Sequence, residues 1–348
     1  MSDEFAKEVL GEEAVKASKR SNGFKGNEKK IMIIAGIVVA IIVIILCVIF
    51  FWPKKKTMNV YLDGLDVLCA PNDVVKTPAG SFLVTDVYGK KIWTVTGEHA
   101  EVYAGADTVE DLYGEPMGGY NDAVLKESLF REPWAIVPFL DGYAVSDTKN
   151  HAVRLVSGTA VQTVNGHSSD LEEGDLGVTF DLPTGLATDE DGNLYVADTG
   201  RGAIYRISKT GNVDVYKDGL NAPMGLCFAN GALYVAETGE HRVISIKSGA
   251  VTVVAGTGEE GDADGPALTA TFSSPKGVAV TKEGVVYIAD TVNGTVRRVK
   301  DGVVDTIFSA EEKKLTTSPV SPTSLLVDEE YLYVCDPFAR RVYKLKIK

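Results

Sequence analysis

Six acidic side chains recur at regular intervals along the chain, and carboxylates are groups that proteins use as general acids, general bases and metal ligands. Each acid follows a proline by 14 or 15 residues. The six acids are Asp86, Asp147, Asp198, Glu237, Asp290 and Asp336. Such regular spacing indicates a repeated structural unit, so equivalent acids should lie in separate units and not in one cluster. We therefore interpret them as hydrogen-bonding groups of six turns.

Histidines and short acidic loops are the other candidates for metal chemistry. The four histidines are His99, His151, His167 and His241. They fall in separate segments, whereas a catalytic zinc site needs two or three that converge with a carboxylate. Asp189–Gly192 and Asp262–Gly265 resemble the start of a calcium-binding loop, but neither continues with the ligands that an EF-hand requires. We predict no metal ion and no other cofactor.

The segment Gly256–Gly261 reads GTGEEG and fits the glycine pattern that cradles a pyrophosphate between a strand and a helix. No helical run follows it, and two glutamates would place negative charge beside the phosphates. No G-x-S-x-G sequence, which would indicate a serine nucleophile, occurs in the chain. We predict neither dinucleotide binding nor a nucleophilic catalyst.

The prolines that precede the acids mark six copies of one pattern. Each copy reads as proline, an apolar run, a turn, a second apolar run and the acid; the third copy is PTGLATDEDGNLYVAD, from Pro183 to Asp198. A third alternating run follows the acid, such as Ile204–Ser208, and a fourth follows in most copies. The copies begin at Pro71, Pro133, Pro183, Pro223, Pro275 and Pro322. Since four short strands form one propeller blade, the sequence predicts an all-β, six-bladed β-propeller.

The last copy has no fourth run before Lys348, and a matching run stands at the other end of the repeat region. Residues 57–66 read TMNVYLDGLD and resemble the fourth run of the third copy, VDVYKDGLN at residues 213–221. We predict that this N-terminal strand completes the last blade. Pairing the two terminal strands would remove the free edges at the ring junction.

The copies resemble NHL repeats, whose pattern is Pro-x-Gly and an apolar run, then Gly-Asn-apolar-Tyr-Val-Ala-Asp, then Asn-His-Arg and another apolar strand. The third copy matches almost letter for letter, and the resemblance covers Pro71–Lys348, although Glu237 replaces the usual Asp and the sixth copy lacks the Gly. The resemblance implies a six-bladed propeller. His151 and His241 occupy the His position, which implies hydrogen bonding within the turn after the second strand.

The same resemblance implies a role for three phenylalanines that stand three residues before a repeat proline. They are Phe130, Phe180 and Phe272. The stretch from Gly261 to Pro275 is similar to a common NHL inter-blade loop, which implies that these rings fill the core between blades.

Residues 31–52 form an apolar stretch without a charge, IMIIAGIVVAIIVIILCVIFFW. As a helix they would span roughly 33 Å, against a hydrocarbon thickness of about 30 Å, so we predict one transmembrane helix. Six Lys and Arg residues precede it within residues 16–30 and three follow it in residues 53–56. This bias predicts that residues 1–30 are cytoplasmic and that the propeller at 57–348 is extracytoplasmic. We expect the tail at 1–30 to be disordered and residues 53–56 to form a juxtamembrane linker. The chain would then be a single-pass protein of the cell membrane.

Charge and cysteine content limit the partners of the predicted propeller. Beyond residue 52 the chain has 28 basic and 42 acidic residues and so a net charge of −14, which disfavours nucleic acid as a partner. The propeller has three cysteines, an odd number that argues against a disulfide framework, although Cys69 and Cys335 belong to blades that adjoin at the closure and could approach each other.

The residue after each repeat proline should lie where the innermost strand enters the ring. These residues are Asn72, Trp134, Thr184, Met224, Lys276 and Thr323, with Asp73 the only acid beside them. This set could not hold a divalent metal ion with three or more protein ligands. We therefore expect a binding protein and no catalytic residues.

We predict that the binding surface is the face formed by the turns after the second strands and by the inter-blade loops. Its candidate ligand-binding residues are Tyr88, Arg131, Trp134, Lys149, Arg201, Lys276, Phe338 and Arg340. Exposed aromatic residues beside arginine are favoured in binding hot spots. The long insertion from Ala104 to Glu132 could form a flap over this face, and Trp134 could alternatively plug the channel mouth.

The sequence thus predicts a membrane-tethered, extracytoplasmic propeller that acts as a binding or sensing scaffold for a protein, glycan or small ligand. NHL propellers that act as sensor domains and interaction platforms imply the same class. The alternative is a metal-dependent lyase or lactonase, because the NHL family includes amidating lyases and other six-bladed propellers include lactonases.

Overall fold

The computed structural model of the chain describes residues 58–60, 68–97, 99–166, 179–309 and 321–347. The predicted tail (1–30), transmembrane segment (31–52) and linker (53–56) lie outside these residues, and so does His167. Within the described ranges, no helix is long and apolar enough to cross a membrane. All the described strands belong to the unit from Thr57 to Lys348.

Strands and short turns account for nearly all of the described chain. The first strand, β1, is Met58–Val60. Blade 1 contains β2 (Pro71–Lys76), β3 (Phe82–Asp86), β4 (Lys91–Thr96) and β5 (His99–Ala104). Blade 2 contains β6 (Pro133–Phe139), β7 (Gly142–Asp147), β8 (Ala152–Ser157) and β9 (Ala160–Gly166). Blade 3 contains β10 (Pro183–Thr188), β11 (Leu194–Asp198), β12 (Ala203–Ile207) and β13 (Val213–Lys217).

The second half of the ring repeats this plan with one extra strand. Blade 4 contains β14 (Pro223–Ala229), β15 (Ala232–Glu237), β16 (Arg242–Lys247) and β17 (Ala250–Ala255). Blade 5 contains β18 (Gly265–Pro266), β19 (Gly277–Val280), β20 (Val286–Asp290), β21 (Thr295–Lys300) and β22 (Val303–Ser309). Blade 6 contains β23 (Ser324–Val327), β24 (Tyr331–Asp336) and β25 (Arg341–Lys346). The described part of the chain also contains three 3-10 turns, Leu125–Glu127, Thr148–Asn150 and Thr238–Glu240.

The six antiparallel sheets form a closed ring. The innermost strands contact one another in the order β2, β6, β10, β14, β19, β23 and back to β2. Strand β1 pairs with β25, with Met58 opposite Leu345 and Val60 opposite Tyr343. The predicted six-bladed propeller and its closure by the N-terminal strand are therefore confirmed.

Among the described residues the core consists of six clusters of apolar side chains, one between each pair of successive blades. The second strand of a blade is buried on both faces; in β11 every residue from Leu194 to Asp198 is buried. Phe130, Phe180 and Phe272 lie in three of these clusters and are almost fully buried. The expectation that they fill the core between blades is confirmed.

The repeat acids hold each turn to the segment that enters its own blade. Asp147, for example, accepts hydrogen bonds from the backbone N–H groups of Arg131 and Glu132, both at 2.9 Å. Asp336 accepts hydrogen bonds from Ser321 and Ala339 in the same way. The interpretation of the six acids as turn groups is confirmed.

The two histidines of the repeat bond both within their own turn and to the next blade. His241 has left-handed backbone torsions at the end of its turn, and its Nδ1 accepts a hydrogen bond from the backbone N–H of Ser274 at 3.0 Å. His151 makes the same contact, more weakly, with Leu182 at 3.4 Å. Both partners belong to the loop that enters the next blade. The backbone N–H groups of His151 and His241 do bond within the turn, to the carbonyls of Thr148 and Thr238, whereas the rings bond to the neighbouring blade.

Candidate functional site

The insertion Ala104–Glu132, which we call the flap, connects blade 1 to blade 2 and is anchored from within. The fully buried guanidinium group of Arg154 in β8 donates hydrogen bonds to Asp122 at 2.6 Å and to Asp147 at 2.9 Å. It also lies 4.7 Å from the ring centroid of Tyr120. The base of the flap is therefore fixed by a buried ion-pair network.

The outer part of the flap is a turn with an apolar tip. Asp111 caps it, because its carboxylate accepts hydrogen bonds from the backbone N–H groups of Tyr113 and Glu115. The side chain of Tyr113 is 91% exposed, and Leu112 beside it is exposed as well. Met117, 61% exposed, follows on the return segment. Exposed apolar side chains gathered in this way are typical of interaction surfaces.

A groove of about 650 Å³ lies under the flap, and we call it the flap groove. Its lining residues are Tyr88, Lys90, Asp111, Glu115, Pro116, Met117, Arg131, Glu132 and Lys149. The turn of blade 1 contributes Tyr88, the turn of blade 2 contributes Lys149, and the base of the flap contributes Arg131. Three of the eight predicted ligand-binding residues are thus brought together here.

The flap groove carries charges of both signs. The ammonium group of Lys90 lies 5.9 Å from the ring centroid of Tyr88, which is half exposed. Burial raises the pKa of Glu132, although Lys149 and Lys90 act in the opposite direction. An aromatic ring, a thioether and alternating charges suit a polypeptide surface better than a uniformly charged ligand.

A second cavity, the channel, lies on the ring axis and has a volume of about 260 Å³. All six innermost strands line it, and Asp73 and Lys276 are the only charged residues among the lining side chains in the described part of the chain. The Asp73 carboxylate accepts hydrogen bonds from Ser324 Oγ at 2.5 Å and from the backbone N–H groups of Ile136 and Val74. Burial raises its pKa to about 6, although these three hydrogen bonds act in the opposite direction.

Trp134 and Lys276 meet across the channel. They come from blades 2 and 5, which lie opposite each other in the ring, and the Lys276 ammonium group is 6.0 Å from the Trp134 ring centroid. Trp134 also packs against the cluster between blades 2 and 3. Two more predicted residues are therefore brought together, at a site separate from the flap groove.

The other three predicted residues belong to neither cavity. Arg201 lies in the turn of blade 3, where its guanidinium group donates to Thr179 Oγ1 at 2.8 Å and lies 3.6 Å from Asp198. Phe338 is exposed in the turn of blade 6, and Arg340 follows it with a positive φ. These turns belong to other blades, so the eight residues do not share one cavity, and their common role in a binding face stays a prediction.

Sequence reasoning missed Lys90, Asp111, Glu115, Pro116 and Glu132 as groove residues. Lys90 follows Tyr88 by two positions in a predicted turn, which was the available signal. The acidic residues had no such signal, because their position depends on the path of the flap. No group of three or more His, Cys, Asp or Glu side chains is arranged to hold a metal ion within the described ranges.

Comparison with known proteins agrees with the repeat pattern. The Teneurin NHL domain matches residues 224–330, and the NHL repeat matches residues 180–204. NHL repeat-containing protein 2 of Bos taurus is 26% identical over 276 residues, which cover 63% of this chain and 38% of that protein. Teneurin-3 of Danio rerio is 33% identical over 154 residues, 37% of this chain and 6% of that protein. The chain thus spans less than half the length of these relatives.

Solved structures share the architecture at low sequence identity. An auxiliary nutrient binding protein from Bacteroides thetaiotaomicron superposes with a TM-score of 0.61 and 14% identity over 84% of this chain and 76% of that one. Virginiamycin B lyase from Staphylococcus aureus superposes with a TM-score of 0.56 and 12% identity over 84% and 99%. These likenesses show the fold alone. The chain carries NHL repeats in a six-bladed β-propeller.

Proposed function

We propose that the protein is a membrane-tethered, extracytoplasmic binding or sensing scaffold whose flap groove takes a protein partner. The observation that carries this proposal is the convergence of Tyr88, Arg131 and Lys149 with the exposed Met117 in one groove. Binding hot spots favour aromatic and arginine side chains inside a partly desolvated surface. The flap adds exposed apolar side chains next to these groups.

The anchoring of the flap supports a preorganised site. Because Arg154 is fully buried and bonded to both Asp122 and Asp147, the base of the flap does not have to be ordered when a partner binds. Binding then costs less conformational entropy than it would with an unanchored loop. Only the tip around Tyr113 would need to adjust.

Tethering to the membrane rests on the sequence of residues 31–52 and on the excess of Lys and Arg before them. The propeller's charge of −14 is compatible with this placement, since an acidic domain is repelled by anionic lipid. Protease added to intact cells or spheroplasts should therefore digest or release the propeller. Full protection would contradict the proposed orientation.

The binding role is tested with the full chain, tagged and extracted from its native membrane. We expect a partner that co-purifies with the wild-type chain to be lost when Lys149→Glu reverses a charge in the flap groove. Lys282→Glu is the matched control, because Lys282 lies in the turn between β19 and β20, on the opposite face of the propeller. Retention of the partner by Lys149→Glu, or its loss from both variants, would contradict the proposal.

A propeller with lyase or lactonase activity remains the alternative reading of the fold. Its active site would have to be built in the channel, since that cavity joins all six blades. Turnover by the purified chain that is lost on changing channel residues, and not groove residues, would favour this alternative.

A further inference from the structure

The channel contains one cation whose charge the protein does not neutralise. In the described part of the chain Lys276 forms no ion pair, and burial alone lowers the pKa of its ammonium group. The carboxylate of Asp73 lines the same cavity, but three hydrogen-bond donors already occupy it. A partly buried ammonium group without a counter-ion is costly unless an anion approaches it.

Two other polar side chains near the channel mouth, Asn72 and Thr323, are engaged within the protein. Asn72 donates its amide to the backbone carbonyl of Trp134 at 2.9 Å. Thr323 donates its hydroxyl to the backbone carbonyl of Asn72 at 3.2 Å. A ligand would therefore meet one positive charge, at Lys276, and one negative charge, at Asp73, which suits a monoanion better than a multiply charged phosphate.

Below the mouth the walls combine apolar and polar surface. Valine and leucine residues of the six innermost strands supply apolar surface, and Cys227 joins them as a neutral thiol because burial raises its pKa to about 11. The volume of about 260 Å³ is below the roughly 300 to 1,000 Å³ of pockets that hold drug-sized ligands. The cavity thus suits a small molecule whose body can lie against the apolar part of the wall, which includes the Trp134 ring.

We propose that the channel is a binding site for a small organic carboxylate, whose charged group pairs with Lys276 and whose apolar body lies against Trp134. This inference deepens the proposed binding role and rests on it, but it concerns a different cavity from the flap groove. Since Lys276 and Trp134 come from opposite blades, a bound carboxylate would link the two halves of the ring.

Benzoate is a suitable probe, with benzamide as its uncharged counterpart and inorganic phosphate as an anion without an apolar body. Calorimetric titration of the full chain in detergent should show saturable binding of benzoate, and binding of benzamide should be at least about tenfold weaker. Lys276→Met should weaken benzoate binding to the same extent, Lys276→Arg should retain it, and Lys282→Met should leave it unchanged. Benzoate binding should also change the tryptophan fluorescence of the chain, and Trp134→Phe should abolish that change.

Absence of saturable benzoate binding, equal binding of benzamide, or unchanged binding in Lys276→Met would overturn the proposal. Phosphate binding as tight as benzoate binding would also overturn it, since that result indicates an adventitious ion only. Partner binding at the flap groove is measured separately, by co-purification with the wild-type chain and with Lys149→Glu. A failed benzoate titration with an intact, groove-dependent partner rejects the carboxylate site and leaves the scaffold role standing.

Discussion

Asp73 Oδ2 in blade 1 accepts a hydrogen bond from the backbone N–H of Ile136 in blade 2, at 2.8 Å across the seam between the two blades. Its other oxygen accepts a hydrogen bond from the hydroxyl group of Ser324 in blade 6. One carboxylate therefore links blade 1 to both of its neighbours.

The remaining four seams are joined in another way. The threonine that follows the repeat acid donates its hydroxyl to the backbone carbonyl of the next blade's repeat proline, at 2.7 to 2.8 Å. These threonines are Thr148, Thr199, Thr238 and Thr291. Val87 and Pro337 stand at this position in blades 1 and 6 and have no hydroxyl. Asp73 acts at the two seams that lack the threonine bond.

Removing the Asp73 carboxylate should destabilise ring closure. Asp73→Ala leaves the Ile136 N–H and the Ser324 hydroxyl without this acceptor, and we expect the free energy of unfolding to fall by about 2 to 4 kcal/mol. Denaturant unfolding of the full chain in detergent measures the change. Asp328→Ala is the matched control, because Asp328 pairs with Lys76 across the same closure but at the surface, and it should cost about 1 kcal/mol or less. Equal losses in both variants would contradict this role of Asp73.

These contacts show where prediction from the sequence ends. The proline-to-acid spacing was sufficient to predict the number of blades. The likeness of residues 57–66 to residues 213–221 was sufficient to predict that the N-terminal strand completes the last blade. Asp73 could be placed near the channel but not bonded to Ile136, because 63 residues separate them and only the closed ring brings them together. For the same reason Tyr88 and Lys149 could be assigned to one face, but not to one groove.

The pH dependence of stability should follow the buried repeat acids. Burial raises the pKa of Asp198 to about 6, against about 3.9 for an unperturbed aspartate. The folded state binds this proton at a higher pH than the unfolded state does, so this group's stabilising contribution is present below about pH 4 and is lost as pH rises to about 6. Burial raises the pKa of Asp147, Asp290 and Asp336 in the same direction.

Asp198→Asn should remove part of this slope. We expect the difference in unfolding free energy between pH 4.5 and pH 7 to shrink by about 2 kcal/mol at most. Urea titrations at the two pH values measure it, with the exposed Asp214→Asn as the control. An unchanged difference in Asp198→Asn would show that this carboxyl group titrates normally.

Two consecutive arginines in blade 5 should differ in their contribution to stability. Arg297 is buried and donates to Asp290 at 2.8 Å and to Asp264 at 2.6 Å, whereas Arg298 pairs with Asp305 near the surface. Arg297→Met leaves the Asp290 carboxylate buried without its cation and should cost about 3 to 5 kcal/mol. Arg298→Met should cost about 1 kcal/mol or less. Similar melting temperatures for the two variants would contradict the buried network.

Closure by β1 should be required for a stable last blade. Without it, β25 would present an open edge at the ring junction, and such edges promote aggregation. A chain that begins at residue 65 should therefore melt at a lower temperature, or aggregate, compared with one that begins at residue 54. Equal melting temperatures would show that the pairing of Met58–Val60 with β25 is dispensable.

Site-specific photo-crosslinking in native cells tests the proposed scaffold role most directly. A photoreactive phenylalanine analogue replaces Met117 in the flap groove or, in a parallel chain, Lys282 on the opposite face. We predict a discrete crosslinked protein adduct from position 117, lost when Lys149→Glu is added, and none from position 282. No adduct at position 117, or the same adduct from both positions, would contradict the assignment of the flap groove as the partner-binding surface.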